Sequence, residues 1–220
     1  RESVCVSTQA GCAMGCVFCA TGQGGLRRNL TAGEMVGQVL TFSRILGADG
    51  SRVSNVVFMG MGEPFANYDA VWKAVRILSD PAGLGLGARH LVISTVGLIP
   101  GIRRFASEKS QVRLAISLHA ADDALRNSLI PVNRKYPIGP LMDSLRDYVN
   151  TTSRRVTFEY ALIAGVNDLP EQALALAALL QGIPAHVNLI PLNPTQGSPL
   201  QPSPGIGVRN FQSILQEHAI

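Results

Sequence analysis

Short β-branched and apolar runs alternate with longer stretches of helical periodicity along this chain. Six runs read as strands: Val4–Val6, Asn55–Met61, Leu91–Val96, Val112–Leu118, Val156–Ile163 and Val187–Pro191. They are nearly continuous in apolar character, the pattern of a parallel sheet covered on both faces. Helices are predicted between them. Thr31, with Glu34 three residues on, forms a capping box that opens a helix through about Leu46. Further helices are predicted over Asn67–Ser79, Ile99–Ser107, Pro140–Tyr148, Pro170–Gln181 and Val208–His218, with a short one over Asp122–Ser128. Strand and helix thus alternate about every 37 residues. An eight-unit barrel usually needs about 250 residues, so six units in 220 residues fit a partial (β/α) barrel or an open doubly wound sheet. Both folds place ligands outside the carboxyl ends of the strands.

Composition narrows the class. Hydrophobic residues make up 46% of the chain and charged residues 15%, too apolar for a disordered segment. The longest apolar run, Ala173 to Leu180, is far shorter than the roughly 20 residues that span a bilayer, so a soluble globular domain without a membrane partner is expected. The chain starts at Arg1 without a secretory pattern, which reads as an internal start. Net charge is +4, and arginines outnumber lysines. This permits a nucleic-acid partner without requiring one. The 5% aromatic content argues against a base-stacking single-strand module. Thr195–Gly207, rich in Pro, Gly and Ser, reads as a mobile connection in preference to a lid.

The chemistry concentrates at the start. All four cysteines, Cys5, Cys12, Cys16 and Cys19, fall in the first 19 residues. A disulfide framework spreads its crosslinks, so this grouping reads as metal or redox chemistry in a reducing, cytoplasmic compartment. Cys12, Cys16 and Cys19 follow the first strand in a loop with Gly11, Gly15, Gly22, Gly24 and Gly25, which lets the backbone wrap tightly. Three thiolates suit a [4Fe–4S] cluster that keeps one iron open. Structural zinc on Cys12, Cys16, Cys19 and His119 is the alternative, at an unusual spacing. Other predicted strand ends carry polar groups as well: Gly62 and Glu63, Ser94 and Thr95, Ser117 and His119, and Asn193. Taken singly, each is also a plausible turn residue or helix cap.

The Cys-x-x-x-Cys-x-aromatic-Cys pattern, with Phe18 as the aromatic, resembles the signature of the radical S-adenosylmethionine (SAM) superfamily. Within it, Val4–Cys12, Gly60–Pro64, Ser117–Ala120, Arg154–Tyr160 and Asn188–Pro194 resemble the RlmN/Cfr family of RNA adenine methyltransferases, over nearly the whole chain. The resemblance implies a partial (β/α)6 radical SAM barrel with parallel strands. It implies a [4Fe–4S] cluster on Cys12, Cys16 and Cys19, and S-adenosyl-L-methionine held by Gly62, Glu63, Ser94, Ser117, Leu118, His119 and Asn193. The reaction implied is methylation of adenine C2 in 23S rRNA and tRNA through a methyl-cysteine intermediate, with Cys5 as the resolving cysteine. The electron comes from a donor such as flavodoxin or ferredoxin, and the enzyme is a monomer. The C8-methylating Cfr branch, a zinc-stabilised RNA-binding module and a radical SAM enzyme acting on a protein or metabolite are the rival readings. Taken without the resemblance, Cys5 reads as a small buried residue of the first strand. No cysteine follows Cys19 to carry the methyl group. Residues 1–220 are therefore expected to be a single catalytic core lacking the family's N-terminal domain and C-terminal cysteine segment, able to bind its cofactors but not to complete methylation alone. Arg27-Arg28, Arg103-Arg104, Arg134-Lys135 and Arg154-Arg155 are candidate phosphate contacts, the first pair foremost.

Overall fold

The computed structural model describes residues 2–195 and 197–220. Among the described residues, eight strands form: β1 (Glu2–Cys5), β2 (Gln9–Gly11), β3 (Leu26–Asn29), β4 (Val53–Phe58), β5 (Leu91–Thr95), β6 (Arg113–Ser117), β7 (Val156–Leu162) and β8 (Ala185–Pro191). The α-helices are α1 (Ala20–Gln23), α2 (Ala32–Ala48), α3 (Tyr68–Ser79), α4 (Ile99–Ser107), α5 (Asp123–Leu129), α6 (Ile138–Thr152), α7 (Pro170–Leu180) and α8 (Gly205–Glu217). Six strands make one parallel sheet in the order β1-β4-β5-β6-β7-β8, curled into a half-barrel. Strand order follows chain order, as right-handed crossovers through helices produce.

All six expected strands and the expected helices are present, with shifted ends. α6 starts at Ile138, where Pro137 precedes the first turn, and runs on to Thr152. α8 begins at Gly205, inside the stretch read as a connection. Residues 201–203 of that stretch are pinned against the end of β7. Pro202 bridges Ile163, and the Ala164 N–H donates to the Gln201 carbonyl at 2.9 Å. Its Gln196 lies outside the described residues. The antiparallel β2–β3 ribbon was not expected, since runs of three and four residues carry no readable period.

Strand side chains alternate between two faces. The outer face (Val4, Val56, Phe58, Ile93, Leu114, Ile116, Phe158, Tyr160) joins a core with Ile102 and Phe105 of α4 and Leu141, Leu145 and Tyr148 of α6. The Phe105 and Tyr148 rings stack 6.0 Å apart at 12°. The inner face is different. Ser94, Ser117 and Glu159 alternate into the runs and face a cavity, so helices do not cover both faces as the apolar runs suggested. A smaller second core of Val96, Leu129, Ile130, Ile163 and Leu192 sits beneath the cysteine loop.

Candidate active site

The cysteine loop is shaped by glycines. Gly11 has φ +81, and a Cβ there would lie 1.9 Å from the Gly25 carbonyl oxygen, which accepts the Cys12 N–H at 3.0 Å. Gly15 turns the chain between Cys12 and Cys16 with φ +67. Cys19 caps α1 without using its side chain, which leaves the thiol free. The loop docks on α5, where the Val17 N–H donates to the Leu129 carbonyl at 3.1 Å. Met14, Cys16 and Phe18 pack against the second core.

The three thiols line one cavity of about 250 Å³ at the carboxyl ends of the strands. Gly60, Gly62, Glu63, Ser94, Ser117, His119 and Glu159 line it with them, and Val96 and Ile190 add apolar surface. Glu63 is buried, and its two carboxylate oxygens accept the N–H groups of Phe65 at 3.0 Å and Val96 at 2.9 Å. Burial raises its pKa to about 7. His119 holds φ +59. Its Nδ1 accepts the Ala161 N–H at 2.9 Å, so the ring proton sits on Nε2. Burial, with the Arg126 charge nearby, depresses its pKa to about 3, so it is a neutral donor. The Phe18 ring meets it edge-on at 4.7 Å. Ser94 and Ser117 share a 3.4 Å hydrogen bond.

The donor set fits a cationic centre. Burial pushes the Cys16 thiol up to about 12, and the neighbouring Cys19 and Cys12 thiolates and Glu63 add to it. No Lys or Arg lines the cavity among the described residues. Burial thus keeps Cys12 and Cys16 protonated on their own, and a cationic group supplied from outside the chain would draw off their protons and take the thiolates as ligands. Among the described residues, no three His, Cys, Asp or Glu converge tightly enough to grip one bare ion. His119 accepts the Ala161 N–H at Nδ1 and carries its proton on Nε2, so the neutral ring has no free lone pair for zinc, which weighs against the zinc alternative. Cys12, Cys16 and Cys19 would hold a [4Fe–4S] cluster.

A family model for the radical SAM superfamily matches residues 6–177. The chain belongs to the radical SAM superfamily. Among its relatives, a probable dual-specificity RNA methyltransferase RlmN of Chloroflexus aurantiacus is 57% identical over 231 residues, covering 100% of this chain and 61% of that protein. A crystal structure of a radical SAM methyltransferase from Sphaerobacter thermophilus superposes with a TM-score of 0.98 at 54% identity, over 99% of this chain and 64% of that one. SuiB of Streptococcus suis bound to S-adenosylmethionine shares the fold alone, with a TM-score of 0.66 at 12% identity, over 98% of this chain and 47% of its own. The chain spans 61–66% of the length of the first three curated relatives, each called a probable RlmN.

Eight of the residues that sequence reasoning assigned to this radical SAM core meet in the cavity: Cys12, Cys16, Cys19, Gly62, Glu63, Ser94, Ser117 and His119. Three do not line it. Leu118 points into the outer core, its N–H donating to Glu159 and its carbonyl accepting from Arg126. Asn193 is exposed beyond β8. Cys5 is exposed on the edge strand β1, with buried Val4 and Val6 on the opposite face, so it is no core residue. Partial burial raises its thiol pKa, and the N–H of the cavity residue Met59 opposes that. Sequence reasoning missed Glu159, which accepts Asn188 Nδ2 at 2.8 Å; its place on a strand facing Ser117 was the available signal. It also missed the buried Arg126.

Proposed function

We propose that this chain is the catalytic core of a radical SAM methyltransferase that methylates C2 of adenine in 23S rRNA and tRNA through a methyl-cysteine intermediate. The observation that carries the reading is the gathering of three thiols, Glu63, two serine hydroxyls and a neutral histidine donor in one cavity. The RlmN names of its relatives favour the C2 branch over C8.

Cys12, Cys16 and Cys19 would hold the [4Fe–4S] cluster, and the cavity-lining Gly62, Glu63, Ser94, Ser117 and His119 would bind S-adenosyl-L-methionine; Leu118 and Asn193 have no place in that lining. The chemistry such a cluster would supply is one electron for reductive cleavage of the sulfonium C–S bond, releasing methionine and leaving a carbon radical on the adenosyl side. The close backbone at Gly60 and Gly62 admits the methionine end of the cofactor, while His119 Nε2–H and the two serine hydroxyls orient its polar atoms. Glu63 ties the β4 exit to the β5 exit through Val96 and, when ionised, adds negative charge to the cavity. The apolar surface of Val96 and Ile190 keeps water from the reacting centre. Cys5, on the flank beside Met59, resolves the protein–RNA crosslink. A flavodoxin or ferredoxin delivers the electron, and the enzyme works as a cytoplasmic monomer, with the methyl-carrying cysteine outside these 220 residues. Among the described residues, no helix is long and apolar enough to cross a membrane.

Anaerobic iron–sulfur reconstitution, followed by electron paramagnetic resonance of the reduced chain, tests this. A [4Fe–4S]⁺ signal that changes on adding S-adenosylmethionine is expected. Bound zinc, or no cluster, overturns the reading. Liquid chromatography with mass spectrometry, against standards, of nucleosides from RNA treated with an enzyme carrying this core then separates 2-methyladenosine from its isomer 8-methyladenosine.

A further inference from the structure

Arg126 of α5 is fully buried, an unusual place for an arginine. Its guanidinium faces the back of the cavity wall. Nη2 donates to the Val96 carbonyl at 2.7 Å and the Ser117 carbonyl at 3.1 Å, and Nε to the Leu118 carbonyl at 3.0 Å. Nη1 donates to Asn133 Oδ1 at 2.6 Å. Every acceptor is neutral, and Arg126 forms no ion pair among the described residues. Asp123, on the same helix, is held one side chain away, accepting Asn133 Nδ2 at 2.8 Å and the Ile138 N–H at 2.8 Å. The positive charge is therefore fixed but not cancelled by contact.

Its partners matter because of what they carry. Val96 and Ser117 line the thiol cavity, and Leu118 leads to His119. The same helix ends at Leu129, whose carbonyl receives the cysteine loop through Val17. One side chain thus joins the ends of β5 and β6 to the helix on which the loop docks. A helix anchor alone would be met by an apolar residue at far lower desolvation cost.

We propose that Arg126 is a positioning residue whose buried, uncancelled charge holds the cluster at a less negative potential from behind the cavity wall. This rests on the cluster reading above. Fixed charges and hydrogen bonds beyond the ligands are a general lever on iron–sulfur potentials.

The test is the midpoint potential of the reconstituted chain, followed by electron paramagnetic resonance, beside the melting temperature of the iron-free chain. R126Q is expected to load iron, to shift the potential to a more negative value and to lower the melting temperature. R126K is expected to restore the potential but not the melting temperature, because it keeps the charge and loses the fork. N133D, made together with D123N so that no two carboxylates meet where Asn133 Nδ2 now donates to Asp123, sets a carboxylate against Nη1 with little change of shape. It covers the case in which R126Q does not fold, and it too is expected to shift the potential negatively. Loaded R126Q, or the loaded double variant of N133D with D123N, at the wild-type potential overturns the proposal. So does a shift that R126K does not restore, since geometry rather than charge is then responsible. Absence of iron in the wild-type chain fails the cluster reading itself, and this inference with it.

Discussion

His119 combines two demands that few side chains meet. It sits in the left-handed region, which costs most residues but is tolerated by Asn, Asp and His. It also presents an unprotonated Nδ1 to the Ala161 N–H. In the unfolded chain this ring takes up a proton near pH 6.5; in the fold it does so only near about 3. As pH falls through 6.5, the unfolded state binds a proton that the native state refuses, and stability drops until about pH 3. Between pH 7 and 5 this amounts to about 2 kcal/mol, at roughly 1.4 kcal/mol per unit. H119N keeps the backbone conformation and removes the titration. Urea denaturation of the iron-free chain is expected to show that extra acid loss in wild type and not in H119N. Glu63 acts in the opposite sense. Its raised pKa means stability is lost as pH rises from 4.5 to about 7, and E63Q is expected to flatten that slope. The cysteines could be read from their spacing alone, whereas the tautomer and backbone strain at His119 depend on β7, forty-two residues away.

Among the elements, the capping box at α2 was fully readable, because its partners are three residues apart. The Thr31 hydroxyl accepts the Glu34 N–H, and Glu34 accepts the Thr31 N–H. T31A is expected to cost about 1 kcal/mol in a denaturant titration. The β2–β3 ribbon was not readable, since its pairing comes from Gly11 and Gly25 meeting across the cysteine loop. G11A is expected to abolish iron uptake while leaving the far-ultraviolet circular dichroism close to wild type. The ribbon lies outside the six-stranded sheet, so its loss spares the main core. Arg126 was unreadable for another reason: on a seven-residue helix, an arginine beside Asp123 and Asn127 has the look of a solvated face.

For the molecule as a whole, the parallel half-barrel followed from the alternation of elements, but its polar lining did not, because isolated Ser and Glu residues vanish within apolar runs. Charge is similarly redistributed by folding. Arg28 is clamped by Glu34 through both terminal nitrogens, and Arg104 binds Asp69 over the Tyr68 ring. Arg27, exposed on β3 beside the cysteine loop, has no such ion pair among the described residues. Under the proposed function, R27E is expected to weaken RNA binding several-fold and to reduce its salt dependence by about one contact, while R104E leaves both nearly unchanged. Filter binding across a salt series reads this directly. The docking of the cysteine loop on α5 also has a consequence in time. The thiols belong to residues 12–19, but their seat at Leu129 and Ile130 is made more than a hundred residues later. At roughly 5–20 residues per second, a nascent chain carries them unsheltered for about 5–20 s. Oxidant reaching the ribosome in that interval meets three unprotected sulfurs, so the yield of competent protein depends on the redox state during synthesis as well as on that of the finished fold.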